Sequence, residues 1–171
     1  MKTVSYQRGV GLMEILVALL VLAIGVLGFI ALQYRAVEAT NESTYRVQAV
    51  NIARDISERI RVNRGAFLTY EAKLAKPVAD QIKAGKDCSE NNCTAAELAD
   101  YDVSQVAKKA QAVGMVVNRI ICAGNESGDK RSCIYVAWGD TAPTNGNADE
   151  GNCTTGSSYD PASTCLIMEV Y

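Results

Sequence analysis

Residues 10–35 read VGLMEILVALLVLAIGVLGFIALQYR. Positions 15–32 carry no polar side chain, and thirteen of those eighteen residues are Leu, Ile, Val or Phe. Each is worth roughly −0.3 to −0.6 kcal/mol on a membrane-insertion scale, about −4 to −8 kcal/mol together. A helix of this length, rising about 1.5 Å per residue, nearly spans a hydrocarbon core. Glu14 stands at the leading edge, where its cost falls below the roughly 2.5–3.5 kcal/mol of a charge at the membrane centre. Insertion therefore wins. Ahead of this stretch, residues 1–9 read MKTVSYQRG, with Lys2 and Arg8 as the only charges.

The rest of the composition narrows the function. The chain has 171 residues, room for one domain beyond the apolar run. Seventeen basic and nineteen acidic residues give a net charge of −2. No basic excess exists to hold phosphates, so no nucleic-acid partner is expected. Histidine is absent. That removes the commonest general base and most catalytic triads, zinc sites and iron sites. Six cysteines, all beyond the apolar run, point to disulfides and an oxidising compartment. They also set the orientation. Lys2 and Arg8 before the span nearly balance Arg35 and Arg46 after it, so the positive-inside count decides nothing. No nucleophile-elbow, P-loop or dinucleotide signature occurs, and no internal repeat. The reading is not an enzyme, and no cofactor is implied.

Three readings of the N-terminus compete. A secretory signal peptide would cut after Val37-Glu38-Ala39 and leave Thr40 first, but its apolar run is normally shorter and Arg35 would sit in the cleavage region. A plain signal anchor leaves Glu14 unexplained. The third reading uses every feature: a short basic leader ending in Gly9, then an apolar helix with an acid at the fifth position beyond it. Gly9 followed by Val10-Gly11-Leu12-Met13-Glu14 resembles the N-terminus of type IV pilins and pseudopilins. The resemblance implies cleavage by a prepilin peptidase between Gly9 and Val10, N-methylation of Val10, and a role for Glu14 in filament assembly. A carboxylate in lipid needs a partner, and a cationic amine on a neighbouring helix supplies one. The first mature residue would be Val10, where that family mostly has Phe.

The helix continues past the membrane. No proline or glycine occurs over 33–64, and Tyr45, Ala49, Ile52, Ile56 and Ile60 recur at steps of four and three. Glu42–Arg46, Arg54–Glu58 and Asp55–Arg59 stand four apart on the remaining surface and read as a solvated or filament-facing side. One helix over about 10–63, close to 80 Å long, follows. Gly25 and Gly28 interrupt its apolar half at a cost of about 0.8–1 kcal/mol each. They read as ordinary membrane-helix glycines or as a point of bending. Residues 53–63, ARDISERIRVN, resemble the ERxRxN stretch of PilV-type minor pilins, the type IV pilus modification proteins. No chemistry is assigned to Arg59, Arg61 and Asn63 beyond a tether to the loop that follows.

Residues 65–171 form a small head. Gly65, Pro77 and Gly85 make 65–93 an irregular connector, with helical turns over 72–82. Thr94-Ala95-Ala96-Glu97 is a capping box that starts a helix to about Gln111, with Leu98, Tyr101, Val103 and Val106 as candidate core. Strands follow over 115–122, 133–138 and 165–171, the first two joined by the polar link AGNESGDKRS. The stretch 139–164, rich in Gly, Asn, Asp, Thr and Ser, reads as a long loop. Six cysteines allow fifteen connectivities. Local pairing is the expectation: Cys88–Cys93, Cys122–Cys133 and Cys153–Cys165, each medium loop contributing about 2–4 kcal/mol. No spacing suits a metal. Asp140, Asp149, Glu150 and Asp160 lack EF-hand order and read as solvated acids. Asn-x-Ser/Thr at Asn41, Asn92, Asn125 and Asn152 is taken as chance.

The fold expected is α+β and pilin-like: a long N-terminal helix packed on a small antiparallel sheet of at least three strands, with disulfide-stapled loops. Residues 1–9 are the leader, 10–34 the membrane-spanning and filament-core half, and 35–171 a periplasmic head that includes the amphipathic half of the helix. The resemblance implies a minor pilin of a type IV pilus. Its partners would be prepilin peptidase, other minor pilins, the major pilin and the inner membrane. Its complex would prime or cap assembly, with twitching motility and adhesion downstream. A minor pseudopilin of a type II secretion system is the near alternative. A membrane-anchored periplasmic binding module or adhesin is the alternative from another class.

Overall fold

The computed structural model describes residues 11–125, 127–128, 130–146 and 151–170. Helix α1 is Leu12–Val62. Two compact units divide the chain between Ser43 and Thr44. In the first, every residue over 11–41 is exposed, and the apolar side chains point in all directions. That is the pattern of a helix built for a non-aqueous neighbour. Its apolar window is long enough to cross a membrane.

In the second unit the helix becomes one-sided. Ala49, Ile52, Ala53, Ile56 and Ile60 are buried, at the steps that keep one face toward a core. Tyr45, expected on this stripe, is 41% exposed. It still covers the end of the core by stacking on Trp138, with ring centroids 6.4 Å apart.

A turn of 3-10 helix, Arg64–Ala66, leads into α2, Phe67–Leu74, and α3, Val78–Gln81. The connector expected over 65–93 is thus more ordered than its glycines and proline suggest. Tyr70 and Leu74 are fully buried and pin α2 to the core. Their attachment to α1 and the core stabilises a helix too short to persist alone.

Helix α4 is Ala95–Ala112, and its capping box forms as expected. The Glu97 backbone N–H donates to Thr94 Oγ1 at 3.3 Å, and the Thr94 N–H donates to Glu97 Oε2 at 2.7 Å. Gly114, at φ +72°, ends it in the left-handed conformation that glycine adopts without strain. Val103 and Val106 are buried as expected, but Leu98 is 36% exposed and Tyr101 only half-buried. The core face instead carries Ala99, Val103, Val106 and Ala110. The two alanines turn inward because their size lets α4 approach its neighbours closely.

Strands β1 (Met115–Ile121), β2 (Ser132–Trp138) and β6 (Cys165–Val170) form an antiparallel sheet in the order β1-β2-β6. Val117, Ile134 and Val136 face the helical core, while Tyr135 and Ala137 face the other side together with four cysteines. β2 is therefore buried on both faces. The covering on the second face comes from the stretch read as a loop. Residues 139–164 contain β3 (Ala142–Gly146), β4 (Asn152–Thr155) and β5 (Ser158–Tyr159), a second three-stranded sheet with β3 parallel to β4. These strands are short and polar and include Pro143, so no period-two alternation announces them.

Candidate functional site

Two places carry the residues that sequence reasoning singled out. The first is the start of α1. Glu14 lies in its first turn, and its backbone N–H donates to the Gly11 carbonyl at 2.9 Å. Around it, Leu12, Met13, Ile15 and Leu16 are all at least half exposed. Gly9 and Val10 lie outside the described residues. The first unit thus presents a single carboxylate amid apolar side chains, with the next charges, Arg35 and Glu38, paired to each other at 3.2 Å.

The second place is where α1 meets α4. Asp55 and Arg59 of α1 and Asn63, the residue just past its end, recur every four residues and so lie on one face. Each reaches α4 at a different height. Lys109 Nζ donates to Asp55 Oδ2 at 2.6 Å. Arg59 donates to Asp102 Oδ1 at 2.5 Å and, through Nε, to Asp55 Oδ1 at 2.6 Å. Asn63 Nδ2 donates to the Ala95 carbonyl at 2.8 Å. The α2 residue Tyr70 completes the cluster, its hydroxyl donating to Asp102 Oδ2 at 2.5 Å. Asp102 is only 6% exposed, so both oxygens of a buried carboxylate are satisfied by a guanidinium and a phenol.

The electrostatics follow from that geometry. Burial alone pushes the Asp55 carboxyl up, but hydrogen bonds from Lys109 and Arg59 outweigh it and hold it below the usual carboxylate range. Burial alone lowers Arg59, and its bonds to Asp55 and Asp102 more than restore the charge. Tyr70 is pushed well above the ordinary phenol range, by burial first and then by donation to the Asp102 carboxylate. A second pair lies alongside. Lys73, 7% exposed, meets Asp100 at 2.6 Å and donates to the Lys83 carbonyl at 2.7 Å. Burial raises Asp100, but Lys73 and the Gly85 N–H outweigh it and keep its carboxyl low. These groups are committed to one another and lock three helices together.

The ERIRVN stretch therefore divides. Arg59 and Asn63 turn inward and clamp α1 onto α4, and both also meet Tyr70 in the stretch that follows: Asn63 Nδ2 donates to the Tyr70 hydroxyl at 3.4 Å, and that hydroxyl lies 3.4 Å from the Arg59 carbonyl. Arg61 turns outward and, among the described residues, its one ion-pair partner is Glu58, at 3.7 Å. Of the pairs expected on α1, Asp55–Arg59 forms as part of this cluster and is no solvated side. Asp102 was missed. Its signal was present, as an acid between Ala99 and Val103 on the helix face that packs inward.

The structure joins the six cysteines as Cys88–Cys93, Cys122–Cys133 and Cys153–Cys165, with Cα separations of 5.7, 5.0 and 5.6 Å. Of the loop acids, Asp160 accepts from the Ala162 N–H, while Asp149 and Glu150 lie outside the described residues. Among the described residues no group of three His, Cys, Asp or Glu side chains is placed to hold a metal.

Residues 31–104 match the family model described as Tt1218-like, type IV pilin Tt1218. No curated protein and no solved structure matches the chain. The matched stretch holds Arg59, Asn63, Tyr70 and Asp102, the whole inner part of the α1–α2–α4 clamp. Together with the long helix packed on a three-stranded antiparallel sheet, the match supports a type IV pilin.

Proposed function

We propose that the chain is a minor pilin of a type IV pilus, made as a precursor and packed into a filament through α1. The observation that carries this reading is the first unit of α1. Its apolar side chains are exposed on every side over more than seven turns, with Glu14 the one acid at its start. Such a surface needs lipid before assembly and other helices after it. Residues 1–9 act as the leader, prepilin peptidase cuts between Gly9 and Val10, and Val10 is methylated. The head, 35–171, stands in the periplasm, where the three disulfides form. Other minor pilins and the major pilin are its partners, and the complex primes or caps the filament, supporting twitching motility and adhesion. A structural and non-enzymatic role agrees with the pilin match.

The test is the N-terminus and the intact non-reduced mass of protein from its native membrane and from sheared surface filaments. A chain beginning at methylated Val10, lighter by six hydrogens, is expected in both. Glu14→Ala should leave processing intact and remove the protein from the filaments. A chain beginning at Met1 indicates a plain anchor, and one beginning at Thr40 a secreted protein. Correct processing without appearance in surface filaments favours a type II secretion pseudopilin.

A further inference from the structure

The main sheet has two outer edges, and the fold treats them differently. On β1 the Cys122 N–H donates inward to the Arg131 carbonyl. Because antiparallel pairing alternates, the backbone groups of Val117, Arg119 and Ile121 point away from β2. Side chains take up part of them. Gln81 Nε2 donates to the Val117 carbonyl at 3.1 Å, the Arg119 N–H donates to Asn118 Oδ1 at 2.8 Å, and Asn145 Nδ2 donates to the Ile121 carbonyl at 3.1 Å. One outward group of each of these three residues is thus taken up.

On β6 the Trp138 N–H donates to the Thr164 carbonyl, so Cys165, Ile167 and Glu169 direct their backbone groups outward. The Tyr159 hydroxyl donates to the Cys165 carbonyl. Beyond that point the N–H and C=O groups of Ile167 and Glu169 have no partner among the described residues. The strand, CLIMEV, holds no proline, glycine or lysine and pairs with β2 without a bulge. Of the devices that usually blunt a free edge, the strand carries one, the charge of Glu169. Beside it runs a groove of about 120 Å³ between α1 and β6, lined by Arg54, Glu58, Arg61, Met168, Glu169 and Val170. Arg54 has no ion-pair partner among the described residues. Arg61 pairs, among the described residues, with Glu58 alone, at 3.7 Å.

We propose that β6 is a docking edge for an extended acidic segment of another subunit. The segment adds as a fourth strand outside β6, bonds the backbone of Ile167 and Glu169, and sets a carboxylate against Arg54 and Arg61. That the partner is a subunit of the same assembly rests on the pilin reading; the open edge does not. A second copy of β6 is not the occupant. Its only acid is Glu169, which shares the sheet face of Cys165 and Ile167, opposite the face where Leu166, Met168 and Val170 meet the helical core. A two-fold pairing of β6 with itself keeps that acid away from Arg54.

The full-length protein, in its native membranes, tests this with a photoreactive benzophenone amino acid in place of Glu58. The expected adduct joins it to an acid-containing peptide of a different protein. Glu169→Pro deletes an outward N–H that the ladder with β2 does not use, and should cut the adduct about five- to tenfold. Arg54→Glu should cut it by at least as much, whereas Glu169→Gln should keep it. The non-reduced mass of each variant confirms that the head has folded and closed its three disulfides. No adduct, a homotypic adduct, or one indifferent to Glu169→Pro and Arg54→Glu overturns the proposal. The N-terminus of the same samples separates the two readings. Methylated Val10 without the adduct leaves the pilin standing and removes the docking edge. Met1 with a sensitive adduct does the reverse.

Discussion

Arg59 and Arg61 are two residues apart in one helix and occupy opposite electrostatic worlds. Arg59 supplies half the compensation of a buried carboxylate, whereas Arg61 is 56% exposed. Removing a partner from a buried pair costs about 3–5 kcal/mol, and the partial exposure of Arg59 places Arg59→Ala near the low end. Arg61→Ala should stay within about 0.5 kcal/mol. Denaturant unfolding of the full chain in detergent measures both, and equal losses would show that Asp102 does not depend on Arg59. The same cluster gives a pH profile. The carboxyls of Asp55 and Asp100 are lowered, so the unfolded chain takes up protons first and the stability they lend is lost as pH falls below the ordinary carboxylate range of about 4. Tyr70 is raised, so its contribution is complete below about pH 10 and lost as pH rises beyond it. Thermal unfolding against pH should show a plateau between these limits, and Tyr70→Phe should flatten the alkaline fall. An unchanged alkaline limb in that variant assigns the fall to another group. The sequence named Arg59 and Asn63 through a resemblance but not their partners. Asp102 lies 43 residues from Arg59, and periodicity along one helix carries no information about which second helix it meets.

At the scale of elements, what was legible followed from local physics. The apolar run, the i, i+3, i+4 stripe of α1, the Thr94–Glu97 box and the three long strands each have a cause within a few residues of themselves. Thr94→Ala tests one such cause. It removes the hydroxyl that accepts the Glu97 N–H and should cost about 1 kcal/mol, read as a lowered unfolding midpoint at unchanged denaturant slope. Thr94→Ser should recover most of it, and failure to do so would mean that the methyl group, not the cap, matters. The second sheet was illegible because its causes are distant. β3, β4 and β5 are polar strands held by the main sheet, as where Asn118 Nδ2 donates to the Pro143 carbonyl and Asn145 reaches Ile121. The start of α2 was missed for a related reason. Phe67, Tyr70 and Leu74 have helical spacing, but Gly65 and Pro77 crowd the window in which it is seen.

Across the whole head, the disulfides differ in what they hold. Cys88–Cys93 spans five positions in the segment ahead of α4, and its neighbourhood is polar and open. Cys153–Cys165 spans twelve, is almost fully buried, and fastens β4 of the small sheet to β6 of the main one. In the chain-entropy picture the shorter loop is worth about 2 kcal/mol and the longer about 3. The difference is widened by packing. Cys153 and Cys165 sit in one apolar cluster with Cys122, Cys133, Tyr135 and Ala137, so replacing them also opens a cavity against β2. The Cys153→Ala/Cys165→Ala pair should therefore lower the melting temperature of the full chain by more than the Cys88→Ala/Cys93→Ala pair. At about 2–4 °C per kcal/mol for a protein of this size, the gap should be at least several degrees. The two losses should also differ in kind. Losing the exposed bridge leaves the main sheet as it is, while losing the buried one frees the small sheet and uncovers the second face of β2. Amide exchange in β2 should then accelerate only in the second variant. Equal melting temperatures with unchanged protection of β2 would mean that the small sheet is held by its hydrogen bonds alone.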